Sequence, residues 1–221
     1  MSSFTLKIIA LLSMLCDHLG YTILGQFSFM NYIGRIAFPV FAFCITEGYV
    51  HTKNIKKYFL RLGILAIISQ IPYMLFESTF LNHINLNIIF TLILGLFTIL
   101  LYDKSKNKLL GLILTILLGC FAQFFYFDYG WFGIAIIFIF YIFKDNKSFM
   151  NLSFILATFA NYYYMFLRTS RFEYIFIIFF ACLSLIPINL YNGQKGKNSK
   201  YLLYVFYPLH FIVLYLVSTL I

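Results

Sequence analysis

The chain has 221 residues, 62% of them hydrophobic and 22% aromatic, with only 10% charged and a formal net charge of +9. A soluble domain of this length has too little interior to hide so much apolar surface, so most of it is solvated by lipid. At about 20 apolar residues per span the chain holds roughly eight to ten helices and no soluble catalytic domain, and the positive charge reads as loop charge against anionic lipid, not as a surface for nucleic acid.

The predicted fold is therefore all-α: a polytopic integral membrane bundle in one domain covering 1–221. Nine spans are expected, at 4–24, 33–50, 57–76, 85–102, 108–127, 129–143, 149–167, 172–190 and 201–220. The sixth is short enough to be tilted or partly re-entrant. Because the first span lacks a basic leader and an A-x-A cleavage pattern, it is expected to be retained and not cleaved as a signal peptide. Lys and Arg concentrate in alternate connections: Lys53, Lys56, Lys57 and Arg61; then Lys104, Lys106 and Lys108; then Lys144 and Lys147; then Lys195, Lys197 and Lys200. The positive-inside rule places these connections and the N-terminus in the cytoplasm. Arg168 and Arg171 break the pattern. The cysteines, Cys16, Cys44, Cys120 and Cys182, lie singly in apolar runs, which predicts buried thiols and no disulfide framework or metal site.

The first span, within Lys7–Gly20 (KIIALLSMLCDHLG), carries an acid and a base, Asp17 and His18, inside its apolar run. Ionisable groups at that depth are costly and usually face a protein interior or a water-filled cavity. A helix turns by about 100° per residue, so the two side chains cannot face one groove. His18 shares a face with Lys7, Leu11, Met14 and Tyr21, and Asp17 lies on the flank. Lys7 reads as a snorkelling anchor. Two readings of His18 stand: a reactive group, or a neutral packing residue bonded to a neighbouring helix.

The second span reads GRIAFPVFAFCITEGY, with Arg35 near one end and Glu47 near the other. A guanidinium in an apolar setting needs a carboxylate, and Asp17 is the expected partner. Pro39 is expected to kink this helix. An Arg35–Asp17 pair either fixes packing or serves chemistry directly. The fourth span opens with Asn85, Asn87 and Thr91, the last two one turn apart. Asp128 and Tyr129 occupy a tight connection that caps the next helix or closes a site. In the last span Tyr207 and His210 share a face around Pro208, so two intramembrane histidines, His18 and His210, are placed to meet across the bundle. NGQKGKNSK, 192–200, is a polar linker before that span.

The blocks LKIIALLSMLCDHLG (6–20), GRIAFPVFAFCITEGYVHTKNIKKYFLRL (34–62), NIIFTLILG (87–95), DYGWFG (128–133), YNGQKG (191–196) and YPLH (207–210) occur in an order and spacing that resembles the TraX family. Its name-giving member N-acetylates conjugative pilin in bacteria. The resemblance covers nearly the whole length. It implies an acetyltransferase of the bacterial plasma membrane that uses acetyl-CoA as co-substrate, with a peptide or protein acceptor in the membrane and no metal.

The residue roles expected for such a reaction come from their own chemistry. Acetyl transfer to an amine requires loss of a proton, polarisation of the thioester carbonyl and stabilisation of an oxyanion. His18 is the expected base. Asp17 orients it or pairs with Arg35. The oxyanion donors are Arg35, or a neutral His210 with Tyr207. Lys53, Lys56, Lys57 and Arg61 are the expected phosphate contacts for the cofactor. Asn87, Thr91, Asp128 and Glu47 are the expected substrate contacts. Two alternatives stay open: O-acetylation of a cell-surface glycan, and a proton-coupled transporter that uses the same polar residues as a gate.

Overall fold

The computed structural model describes residues 1–79, 85–197 and 200–220, without the side chains of Lys200 and Tyr201. Helices follow one another directly: α1 (Ser3–Leu19) running into a π turn (Gly20–Leu24), α2 (Phe29–Gly34), α3 (Ala37–His51), α4 (Ile55–Glu77), α5 (Ile88–Lys104), α6 (Lys108–Phe124), α7 (Gly130–Ile142), α8 (Lys147–Thr169), α9 (Glu173–Leu183), α10 (Leu185–Asn189) and α11 (Lys200–Ser218). Among the described residues the sole strand-like contact is a parallel bridge between Leu86 and Phe127. The all-α class expected from composition is the one observed.

Three stretches, Ser3–Leu24, Phe29–His51 and Ile55–Glu77, are long and apolar enough to cross a membrane by length and composition. Rows of outward-facing side chains, such as Ile64, Ile67, Ile68 and Ile71 on α4 and Ile113, Ile116 and Leu117 on α6, stay exposed. Apolar rows of this extent suit a lipid solvent, since soluble monomers rarely leave them uncovered. The short sixth pass is explained by its position. α7 is apolar on every side, and most of its residues are buried between α3, α5, α6 and α8. A helix of that composition belongs in an interior. At Gly95 of α5 a side chain would meet Ile137 Cδ1 at 2.3 Å, so α5 and α7 pack almost backbone to side chain.

Two predicted spans are broken helices. The second divides at Arg35–Ile36, where the N–H groups of both residues bond to carbonyls three residues back. Pro39 is the third residue of α3, so it has no N–H for the Arg35 carbonyl, and the break falls before the proline instead of at it. The eighth span divides at Ser184, whose hydroxyl donates to the Ala181 carbonyl at 2.6 Å. The fourth begins at Ile88 instead of 85, because Asn87 caps it by accepting from the Ile89 N–H.

The connections gather at two ends. At the basic end Asp103 accepts from the hydroxyls of Tyr49 and Tyr141 at 2.8 and 2.7 Å, tying α3, α5 and α7 together. The linker after α10, described through Lys197, pairs there with the N-terminus. At the opposite end the Leu86 N–H donates to Tyr126, and the Asp128 N–H donates back to Leu86, which locks the start of α5 to the α6–α7 connection.

Candidate functional site

Close approach of α1 and α2 at the opposite end builds the first part of the site. A side chain at Gly34 would meet Asp17 Cβ at 2.3 Å, so only glycine lets the helices come this near. The Asp17 carboxylate then receives the guanidinium of Arg35, whose Nη2 reaches both of its oxygens. Arg35 Nε donates to the Asn31 carbonyl at 3.1 Å. Asn31 Nδ2 donates to the Asp17 carbonyl at 2.7 Å and to its carboxylate at 3.2 Å. Ser28 completes a capping box with Asn31, which sets the entry of α2. The expected Asp17–Arg35 pair therefore exists and sits within a closed network. The hydroxyls of Tyr21 and Tyr162 also engage the guanidinium.

One residue further along α1, the helix turn aims His18 at α11. His18 Nδ1 lies 3.0 Å from His210 Nε2, and His210 Nδ1 lies 3.1 Å from the Phe206 carbonyl. The carbonyl can only accept, so His210 Nδ1 is the donor. With both rings neutral, His210 Nε2 must accept and His18 Nδ1 must donate. His18 Nε2 is then left with its lone pair. Phe211 and Phe76 pack on the His18 ring with centroids 4.8 and 5.3 Å away and hold it in place. Just after His18 the helix relaxes into a π turn, and Thr22 donates to the His18 carbonyl at 2.8 Å. Such bulges are frequent at functional sites.

His18, Asp17 and Arg35 line one chamber of about 370 Å³, together with Glu77, Asp128 and Tyr207. Asp128 lies in the α6–α7 connection. Burial pushes its carboxyl up to about 7, and the neighbouring Glu77 carboxylate adds to the shift. Tyr129 beside it has left-handed backbone, φ 62 and ψ −6. That conformation costs a bulky residue about 1–3 kcal/mol. Its ring stacks on Phe38 at 3.9 Å between centroids, which holds it there.

A second cavity of about 720 Å³ opens at the basic end and shares Phe41, Ile88 and Tyr207 with the chamber. The Tyr207 hydroxyl lies at this shared wall beside the backbone N–H of Ile88 at the start of α5. Both volumes fall in the range of small-molecule sites. Lys7, Glu47, His51, Arg61, Lys195 and Lys197 line the second cavity. His51 Nδ1 is 2.9 Å from the Glu47 carbonyl and 3.7 Å from its carboxylate.

The predicted site residues thus fall into distinct places. His18, His210, Asp17, Arg35, Tyr207 and Asp128 converge on or beside the chamber. Glu47 lies in the other cavity with Arg61, whereas Lys53, Lys56 and Lys57 are exposed outside it. Asn87 and Thr91 are fully buried and line neither space. Asn87 donates to the Ala66 carbonyl and to Gln70, and Thr91 donates to the Asp128 carbonyl, so both hold the chamber's wall from behind. Sequence reasoning missed Asn31, Gly34 and Glu77, and did not read Lys7, Lys195 and Lys197 as lining a cavity. Asn31, one helical turn before Arg35, and Gly34, immediately before it, were the available signal for the first two. Among the described residues no three His, Cys, Asp or Glu side chains gather as metal ligands.

Three known sequences or families match the chain. The family model described as TraX protein matches residues 2–218. A Dichelobacter nodosus protein named as a probable fimbrial assembly protein FimC, serogroup H1, is 25% identical over 96% of this chain and 94% of its own length. An uncharacterized protein of Rickettsia prowazekii (strain Madrid E) is 29% identical over 71% of this chain and 61% of its own length. No solved structure matches.

Proposed function

Because the chain belongs to the TraX family, we propose that it is an integral membrane acetyltransferase, moving an acetyl group from acetyl-CoA to the amine of a membrane-associated, pilin-like peptide. The name of its Dichelobacter relative, a fimbrial assembly protein, supports an acceptor of that kind. In this reading the basic end faces the cytoplasm, as the positive-inside rule favours. The donor enters through the cation-lined cavity and the acceptor through the chamber.

The observation that carries the reading is the hydrogen-bonded chain from Phe206 through His210 to His18, at a chamber that abuts a cation-lined cavity. The acceptor amine attacks the thioester carbonyl and forms the C–N bond. His18 Nε2 takes the proton that the nitrogen sheds, and His210 is a positioning residue that fixes the His18 tautomer. The hydroxyl of Tyr207, at the wall between the two cavities, donates to the developing oxyanion. Collapse breaks the C–S bond, and His18 returns the proton to the departing thiolate. The carboxyl groups of Asp17, Glu77 and Asp128 face a single chamber-lining arginine. With Asp17 paired to Arg35 and Asp128 protonated below about 7, the Glu77 carboxylate gives the chamber an acidic balance that favours entry of an ammonium over a neutral glycan hydroxyl, and the ammonium sheds one proton to water before the free amine attacks.

The test is turnover by purified protein in lipid nanodiscs, with radiolabelled acetyl-CoA and an amine-terminated peptide. Wild type should yield acetylated peptide, and His18→Ala should lose at least about 100-fold, the usual worth of a positioned base. Normal turnover by His18→Ala would remove His18 from the chemistry. Two cavities meeting at a thin wall also suit a proton-coupled permease. No consumption of acetyl-CoA by the wild-type protein would favour that second reading.

A further inference from the structure

The cation-lined cavity holds more specific information than its charge. Part of its lining, Gly193, Lys195 and Lys197, comes from the linker after α10, which is strapped to the N-terminus. The Ser3 N–H donates to Gln194 at 2.8 Å, the Phe4 N–H to Lys195 at 3.1 Å, and the Asn192 N–H to Met1 at 3.0 Å. Gly193 and Gly196 turn the strap with φ of +75° and +69°, a left-handed conformation that glycine adopts without steric cost. At Gly196 a side chain would collide with Ser2 Oγ at 2.4 Å. Lys195 and Lys197 therefore flank a backbone pinned to the start of α1 and do not swing on a free linker. Lys7 lines the same cavity one turn beyond Ser3. Arg61 enters from α4, its guanidinium 5.7 Å from the Tyr58 ring centroid. Four cations thus converge on a concave surface that holds one carboxylate, Glu47.

We propose that this strap is a phosphate clamp: Lys195 and Lys197, with Lys7 and Arg61, bind the phosphates of the phosphorylated acyl donor. The proposal rests on the acetyltransferase reading and names the site by which that reading takes its cofactor. Lysines act on phosphate as point charges and arginine as a planar fork. A strap already ordered by backbone hydrogen bonds loses little freedom on binding. Lys195, Lys197 and Arg61 are exposed like Lys53, Lys56 and Lys57, but they line the cavity, whereas the other three lie outside it, where water and salt screen them from a bound phosphate. The donor's slender thiol-bearing arm then runs along the cavity toward Tyr207, where the chamber begins.

The experiment measures binding of unmodified CoA to the full chain in nanodiscs of purely zwitterionic lipid. Lys195→Gln/Lys197→Gln should weaken the Kd at least about tenfold, the loss expected for charge-assisted contacts. Lys53→Gln/Lys56→Gln/Lys57→Gln should change it less than about twofold, the scale of surface charges that do not line the cavity. Dephospho-CoA should bind wild type more weakly than CoA, and the difference should shrink in the Lys195→Gln/Lys197→Gln variant. Equal weakening by both variants, or none by the first, overturns the clamp while leaving the enzyme reading intact. If anionic lipid is the true occupant, doping the nanodiscs with phosphatidylglycerol abolishes CoA binding to wild type, which also overturns the proposal. Absence of any CoA binding to wild type in zwitterionic nanodiscs overturns the enzyme reading itself.

Discussion

At the scale of single residues the site separates two adjacent side chains into two tasks. Asp17 neutralises Arg35, and His18 meets His210. The 100° between them on the helix makes this division unavoidable. Another residue, Asp128, makes stability depend on pH. Its carboxyl keeps a proton up to about 7, against an ordinary value of 3.8. Between these values the folded chain holds a proton that the unfolded chain has lost. Stability therefore falls as pH rises through that window, and levels off above it. The apparent melting temperature in detergent should drop between pH 5 and pH 8 for wild type and drop less for Asp128→Asn. Identical slopes would show that Asp128 ionises freely in the folded protein.

At the scale of elements, the close crossing of α1 and α2 holds the polar network together. Gly34→Ala adds a methyl where Asp17 Cβ is 2.3 Å away. The helices must part or Asp17 must turn, and either movement strips Arg35 of its carboxylate. Breaking a buried ion pair costs about 3–5 kcal/mol, so this single methyl should lower thermal stability more than Gly63→Ala, where the added carbon meets nothing within 4 Å. A comparison of the two variants by thermal denaturation in detergent decides the point. The helices themselves were readable from apolar runs, and so was the Asp17–Arg35 pair, because a buried arginine needs an acid and α1 and α2 are joined by a short loop. The breaks at Arg35–Ile36 and Ser184 were not readable to the residue. They depend on which carbonyls neighbouring turns can satisfy, and a proline constrains that choice without dictating it.

At the scale of the whole molecule, the two cavities meet at a wall made by Phe41, Ile88 and Tyr207, contributed by three distant parts of the chain. If acetyl groups pass this wall, thickening it should uncouple binding from transfer. Ile88→Phe should leave the Kd for CoA within about twofold of wild type and cut peptide acetylation by at least about tenfold, since overpacking a tight site costs roughly 1–3 kcal/mol. Unchanged acetylation would mean that the donor reaches His18 by another route.

The sequence by itself determined the solvent, the helical class and the identity of the polar residues. These properties are local or compositional: apolar content, 3.6-residue periodicity, and the cost of each charge in lipid. Its ordered blocks also carried the TraX resemblance. Beyond the Asp17–Arg35 pair and the meeting of the two histidines, only the tertiary structure decided partners and faces. It assigned His18 Nδ1 to His210 and drew Asn87 and Thr91 behind the chamber wall. It left Lys53, Lys56 and Lys57 outside and turned Lys195 and Lys197 over a cavity. A lysine in a loop looks the same in sequence whether it faces bulk water or a cavity mouth. The difference lies in backbone hydrogen bonds between residues 191 positions apart, such as Ser3 to Gln194, and no local pattern encodes them.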